Sequence, residues 1–141
     1  MLYRVKLEPD GQGGLIAEVP DFPGALTVGR DRSDALEQAL DALLTMIHGA
    51  MRDGAAVPLP SRVRRGEPYV ALPPGVAAKV AIHNAMRHLG VTQAALAERL
   101  GCDPRQVRRL LDIDHVSTLA QLEAALAALG KRLTVKVRDA A

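Results

Sequence analysis

Residues Thr92–Leu111, TQAALAERLGCDPRQVRRLL, hold two short helical patterns that meet at a glycine. Before Gly101, the residues Leu96, Ala97 and Leu100 fall on one apolar arc, and Ala97 is small enough to admit a second helix closely. Gly101 suits a tight turn that requires positive φ. Beyond it, Asp103 is a good N-cap, Pro104 fits the first helical position and Gln106 completes capping-box spacing. Val107, Leu110 and Leu111 then face inward. At about 100° per residue, Arg105 and Arg109 lie on the opposite side, flanked by Gln106 and Arg108. Three arginines and a glutamine on an outer face are groups that reach phosphates and read guanine or adenine edges in a major groove. A solvated helical hairpin explains the charge alone. The small residue, turn glycine, cap and outward arginines arriving together favour DNA binding.

This segment resembles the helix-turn-helix of the Xre/Cro repressor family. In that family the position matching Gln93, at the start of the first helix of the pair, typically contacts a phosphate. The resemblance therefore adds Gln93 to Arg105, Gln106, Arg108 and Arg109 as candidate DNA-binding residues.

Charge is distributed in keeping with that reading. The chain has 141 residues, 48% of them apolar and 2% aromatic, and a net charge of +2. Residues 1–60 carry 5 Lys/Arg against 9 Asp/Glu, whereas residues 61–141 carry 13 against 7. The basic half holds the helical pair, as a phosphate-binding module requires. The acidic half is repelled by nucleic acid and suits a basic protein partner. One cysteine, Cys102, allows no disulfide within the chain. No leader pattern and no apolar run of membrane-spanning length is present, so a soluble cytoplasmic protein is expected.

In the first half, Tyr3, Val5 and Leu7 alternate with Arg4, Lys6 and Glu8, the period of a half-wet strand. Asp10–Gly14 is turn chemistry, and Leu15, Ala17 and Val19 alternate again, giving a hairpin. A second turn, Pro20–Gly24, precedes a third strand over Ala25–Val28. The period then becomes helical: Leu36, Ala39/Leu40, Leu43/Leu44, Ile47 and Ala50/Met51 recur from a cap at Asp31 or Ser33 to Asp53-Gly54. A helix of roughly 30 Å lays that stripe on one face of a three- to four-stranded sheet, a small α+β layer.

The strand MLYRVKLEPD, the stretch GGLIAEVPDFPGALTVGR and the helix start DRSDALEQALDALL resemble the N-terminal domain of the HicB antitoxin family. One branch of that family carries a C-terminal helix-turn-helix, so the resemblance extends over nearly the whole chain. It implies a degraded RNase H-like domain that binds and occludes a small HicA-like toxin, an mRNA-cleaving ribonuclease. It further implies repression of the toxin–antitoxin operon by binding operator DNA. On this reading Asp21 and Phe22, in the VPDFPG turn, are candidate toxin contacts, with Phe22 serving equally well as a plug for the end of the sheet–helix core.

Catalysis is not expected. Glu8 and Glu18 sit opposite in parity to the apolar face and Asp21 and Asp31 fall in turns, so no set of converging acids for two metals is indicated. His83 and His88 are five apart on one helix and His48 and His115 are remote, so neither a metal nor a cofactor is expected. Gly11, Gly13 and Gly14 lie between strands with no helix behind them, which favours a hairpin turn over a nucleotide site.

The expected organisation is a toxin-binding domain over 1–56, a linker with a possible short strand over 57–74, and an all-α helix-turn-helix domain with a short C-terminal strand over 75–141. In the last, Ala78, Ile82, Ala85/Met86 and Leu89 form one helical stripe and Leu119, Leu122, Ala125/Leu126 and Leu129 another, ended by Gly130. Leu133, Val135 and Val137 suggest the terminal strand, paired either with Tyr69–Leu72 or with a second subunit. A homodimer or higher oligomer is favoured because repressors of this kind read paired half-sites. The rival readings are a stand-alone helix-turn-helix regulator, whose N-terminal layer dimerises or binds a small ligand, and a residual nuclease.

Overall fold

The computed structural model of the protein describes residues 1–140 and is a mixed α+β structure with five helices and small antiparallel sheets. It divides into two compact units, Met1–Ala77 and a second beginning at Ala78.

In the first unit the opening strand is interrupted. It forms β1 (Leu2–Arg4) and β2 (Lys6–Pro9), and these pair with different partners. β2 joins β3 (Leu15–Glu18) and β4 (Leu26–Gly29) in an antiparallel meander of order β2-β3-β4. β1 pairs instead with β5 (Tyr69–Ala71), with Tyr3 opposite Val70. The amide of Val5, at the break, donates to the Pro68 carbonyl at 2.9 Å, which extends that second pairing. Residues 57–74, expected to connect the halves, thus supply a strand to the first unit. Val57 is buried, and the Pro58 carbonyl accepts the Tyr3 hydroxyl at 2.6 Å. Burial, with the charge of Asp21, pushes the Tyr3 phenol up to about 12.

One helix, α1 (Arg32–Arg52), packs on β3, β4 and β5. Asp31 caps it by accepting the Asp34 amide at 2.9 Å, and Asp34 in turn accepts the Arg30 amide at 2.8 Å. The buried stripe is Ala35, Ala39, Leu43 and Ile47, one position round from the stripe that the leucines suggest. Leu36, Leu40 and Leu44 are half-buried flanks. The reason lies at Gly29: a Cβ there would collide with the backbone of Ala35, so helix and strand meet through a glycine and an alanine.

The second unit packs α2 (Pro74–Leu89, from Ala78 onward), α3 (Gln93–Leu100), α4 (Pro104–Leu111) and α5 (Leu119–Ala128) around one apolar cluster. Ile82, Leu96, Val107, Leu122 and Leu126 are at its centre. Leu89 and Leu119, expected in the stripes of their helices, are exposed; each stands at a helix terminus, beyond the cluster's reach. Thr118 caps α5 in a complete capping box with Gln121.

The short C-terminal strand is a correction. Residues 131–140 carry no strand, and Val135 and Val137 are exposed. One of the two expected mates, Tyr69–Leu72, is hydrogen-bonded to β1 instead through Tyr69–Ala71, and a strand without a partner has no ladder to stabilise it. Among the described residues, no helix is long and apolar enough to cross a membrane.

Candidate nucleic-acid and partner-binding surfaces

The α3–α4 pair is built by local chemistry. Thr92 caps α3 by accepting the Ala95 amide at 3.1 Å. Gly101 ends that helix at φ 63°, the left-handed conformation that glycine adopts without a Cβ penalty, with its amide returned to the Glu98 carbonyl at 3.1 Å. Asp103 then caps α4 through the Arg105 amide at 2.8 Å, while the Gln106 amide goes to the Asp103 carbonyl at 2.9 Å. The carboxylate therefore serves the amide two residues on, not the Gln106 amide that a capping box uses. With Pro104 at the first helical position, α4 has a fixed start.

Burial of Val107 and Leu110 sets the rotation of α4. Arg105, Gln106, Arg108 and Arg109 are all exposed, as is Gln93 at the start of α3. The five residues are thus on two adjoining capped helices and free of the apolar cluster. Cys102, in the turn, is half-buried against that cluster.

The candidate partner contacts in the first unit sit differently. Phe22 is only 6% exposed and belongs to the core. Its amide donates to the Val19 carbonyl at 3.0 Å, and its carbonyl accepts from the Ala25 amide at 3.1 Å, so it closes the turn between β3 and β4. The Asp21 carboxylate is engaged within the unit. It accepts the Ser61 hydroxyl at 2.6 Å and the Ser61 amide at 2.8 Å, with the Arg4 guanidinium 3.8 Å away. Burial pushes this carboxyl up, but the Ser61 hydrogen bonds and the Arg4 charge outweigh it, and its pKa lies below the ordinary value.

A group depressed in this way stabilises the fold fully above its unfolded pKa and loses that contribution as pH falls through the lower folded value. The Asp21 carboxyl resonance should accordingly titrate below an ordinary aspartate, and Ser61→Ala should move it upward. NMR titration of the carboxyl carbon checks both outcomes.

Sequence patterning did not single out the exposed apolar side chains of β4. Leu26 is 60% exposed and Val28 56%, on the free edge strand of the β2-β3-β4 sheet. Val28 lies opposite Ile16, and Leu26 opposite Glu18. The strand carries no charge and no proline, the usual protection of an exposed edge. Its alternation was legible, but which face α1 covers was not.

Residues 2–81 match the family model described as HicB-like antitoxin of bacterial toxin–antitoxin systems. The chain belongs to this family. The HicB-like match covers the first unit and the start of α2, whereas full-length relatives reach across both units. Antitoxin HicB 1 of Photorhabdus laumondii is 39% identical over 137 residues, covering 97% of this chain and 87% of that protein. Antitoxin HicB of Escherichia coli is 36% identical over 135 residues, 96% of this chain and 98% of that protein. Antitoxin HicB of Pseudomonas fluorescens is 34% identical over 145 residues, 99% and 97% respectively. These HicB relatives are named as antitoxins, which supports an antitoxin role.

Proposed function

We propose that this chain is the antitoxin of a type II toxin–antitoxin pair, neutralising a small, basic, HicA-like mRNA-cleaving toxin by direct binding. In the same proposal it represses its own operon through a helix-turn-helix made by α3 and α4. The observation that carries the reading is one chain with two attributes. It matches antitoxins over residues 2–81, and beyond them it displays Arg105, Gln106, Arg108 and Arg109 on a capped helix.

Inhibition in this reading is occlusion, with no chemistry on the antitoxin side. The first unit is taken as the degraded RNase H-like toxin-binding domain, the second as the Xre/Cro-type DNA-binding domain. Residues 1–60 carry an excess of acids that suits a basic partner. Asp21 and Phe22 act by fixing the turn that leads into β4, and Leu26 and Val28 give the toxin an apolar contact. Arg105, Gln106, Arg108 and Arg109 face the major groove, and Gln93 a phosphate. A homodimer presents two such helices to paired half-sites. The protein acts in the cytoplasm, where its operator and its toxin's mRNA substrate both lie.

The test is affinity purification at native expression level, with mass spectrometry of what is recovered. A stoichiometric, small, basic protein encoded beside this gene is the expected result. The Leu26→Ser/Val28→Ser variant should fold normally, because both side chains are exposed and no charge is added, and should lose most of that partner. A contact at the centre of an interface is worth about 2 kcal/mol or more. A clean homo-oligomer that binds its own promoter would overturn the antitoxin reading and leave a stand-alone regulator.

A further inference from the structure

Lys79 is the most deeply buried charged side chain among the described residues, at 2% exposure. It stands on α2 between the buried Ala78 and Val80, a site where an apolar residue would be the ordinary choice. Its ammonium has three donors, and three acceptors surround it. The Arg109 carbonyl is at 2.6 Å, the Asp112 carbonyl at 2.8 Å and the Ser117 hydroxyl at 2.9 Å.

The acceptors share a location. Arg109 is in the last turn of α4, Asp112 is its C-cap, and Ser117 immediately precedes the Thr118 cap of α5. Carbonyls at a helix C-terminus have no partner within the helix and carry the negative end of its dipole. A cation placed there binds them through charge-assisted hydrogen bonds, stronger and more directional than apolar contact. Here the cation comes from another helix. The start of α4 is fixed by Gly101, Asp103 and Pro104, and its end is fixed by Lys79. Burial pushes the Lys79 pKa down and the nearby Asp112 charge pushes it up, with burial the stronger.

We propose that Lys79 is a positioning residue for α4. By holding the Arg109 and Asp112 carbonyls and Ser117 at once, it fixes the end of the helix and the direction in which its outward arginines are presented. This rests on the reading of α4 as the DNA-contacting helix. Lys79 itself is buried and touches no DNA. An apolar side chain of the same length fills the space but cannot hold the helix end.

The experiment compares wild type, Lys79→Met and Ser117→Ala as full-length proteins. Two readouts are taken: amide hydrogen exchange across the second unit without DNA, and affinity for two duplexes. One duplex is the DNA immediately upstream of the protein's own coding sequence and the other is a scrambled duplex of equal length. In Lys79→Met the amides of Val107–Leu111 should exchange about tenfold faster or more, the scale of losing a charge-assisted hydrogen bond. Amides of α3 and α5 should change much less. Affinity for the upstream duplex should fall by a similar factor, and affinity for the scrambled one much less. Ser117→Ala removes one acceptor of three and should show both effects in smaller measure. It also serves as the test if Lys79→Met does not fold. Unaltered α4 exchange in whichever variant folds would overturn the positioning role, whatever the DNA result. Wild type that binds neither duplex would overturn the DNA reading, while the exchange readout still decides whether Lys79 holds α4.

Discussion

Gly29→Val should unfold the first unit, and Gly29→Ala should destabilise it by several kilocalories per mole. Gly29 ends β4, is buried, and lies against the first turn of α1. A Cβ added there would overlap the Ala35 amide nitrogen and Cα, and would come within 2.7 Å of the Ala35 Cβ. The obstruction is helix backbone, not the end of a flexible side chain, so relief requires α1 to move off the sheet. Overpacking in a core typically costs about 1–3 kcal/mol when side chains can shift, and here they cannot. A domain stable by about 5–15 kcal/mol loses much of its margin. Gly54→Ala is the contrasting control. Gly54 needs positive φ, at 70°, but nothing lies within 4 Å of an added Cβ. Its cost should be about 1–2 kcal/mol, that of placing an L-residue in the left-handed region. Thermal denaturation followed by circular dichroism separates the two. A Gly29→Ala melting temperature no lower than that of Gly54→Ala would refute the close-approach argument.

What the sequence makes legible here is local, and what it conceals is long-range. The Asp103-Pro104 start, the Gly101 turn and the buried Val107 and Leu110 act within a few residues of one another, so the chemistry that builds α3 and α4 is written consecutively. The same holds for the hairpin turn, where Asp10 accepts the Gln12 and Gly14 amides at 2.7 and 2.9 Å. By contrast, β1 finds β5 across more than sixty residues, and nothing in Leu2–Arg4 names Tyr69–Ala71 as its partner. Asp21 reads as a turn acid until Ser61 is brought to it. Phe22 reads equally as anchor or core until its exposure is known. Lys79 is the sharpest instance. A lysine in a helix is ordinarily a solvated residue, and its three acceptors lie 30, 33 and 38 residues further on. The outward position of Arg105 and Arg109 could be read from periodicity because Val107 and Leu110 had to be inside. Which sheet face would leave Leu26 and Val28 bare could not, because both alternate faces of β4 carry acceptable side chains.

If α4 contacts DNA as proposed, Arg105→Ala/Arg109→Ala should cost the protein most of its DNA affinity while leaving its melting temperature nearly unchanged. Both side chains are exposed, so truncation removes no core contact. The structural tasks at these positions belong to the backbone. The Arg105 amide is what Asp103 caps, and the Arg109 carbonyl is what Lys79 holds. Alanine retains both groups and is a good helix former. The loss therefore reports on contact with DNA, not on folding. An arginine that makes a bidentate contact to a guanine is worth about 1–3 kcal/mol and sets specificity at that base. An arginine on a phosphate weakens all sequences alike and lowers the salt dependence by about one unit of slope. Single substitutions measured on the upstream duplex and a scrambled duplex, over a range of salt, assign each residue to one class. For Arg105 or Arg109 to read bases, at least one of the two must discriminate between the duplexes. Two equal, sequence-blind losses would instead make both arginines phosphate contacts, with recognition carried by Gln106, Arg108 or the shape of the DNA. If neither substitution moves affinity at all, the arginines are solvated charges and the DNA-binding role of α4 is refuted.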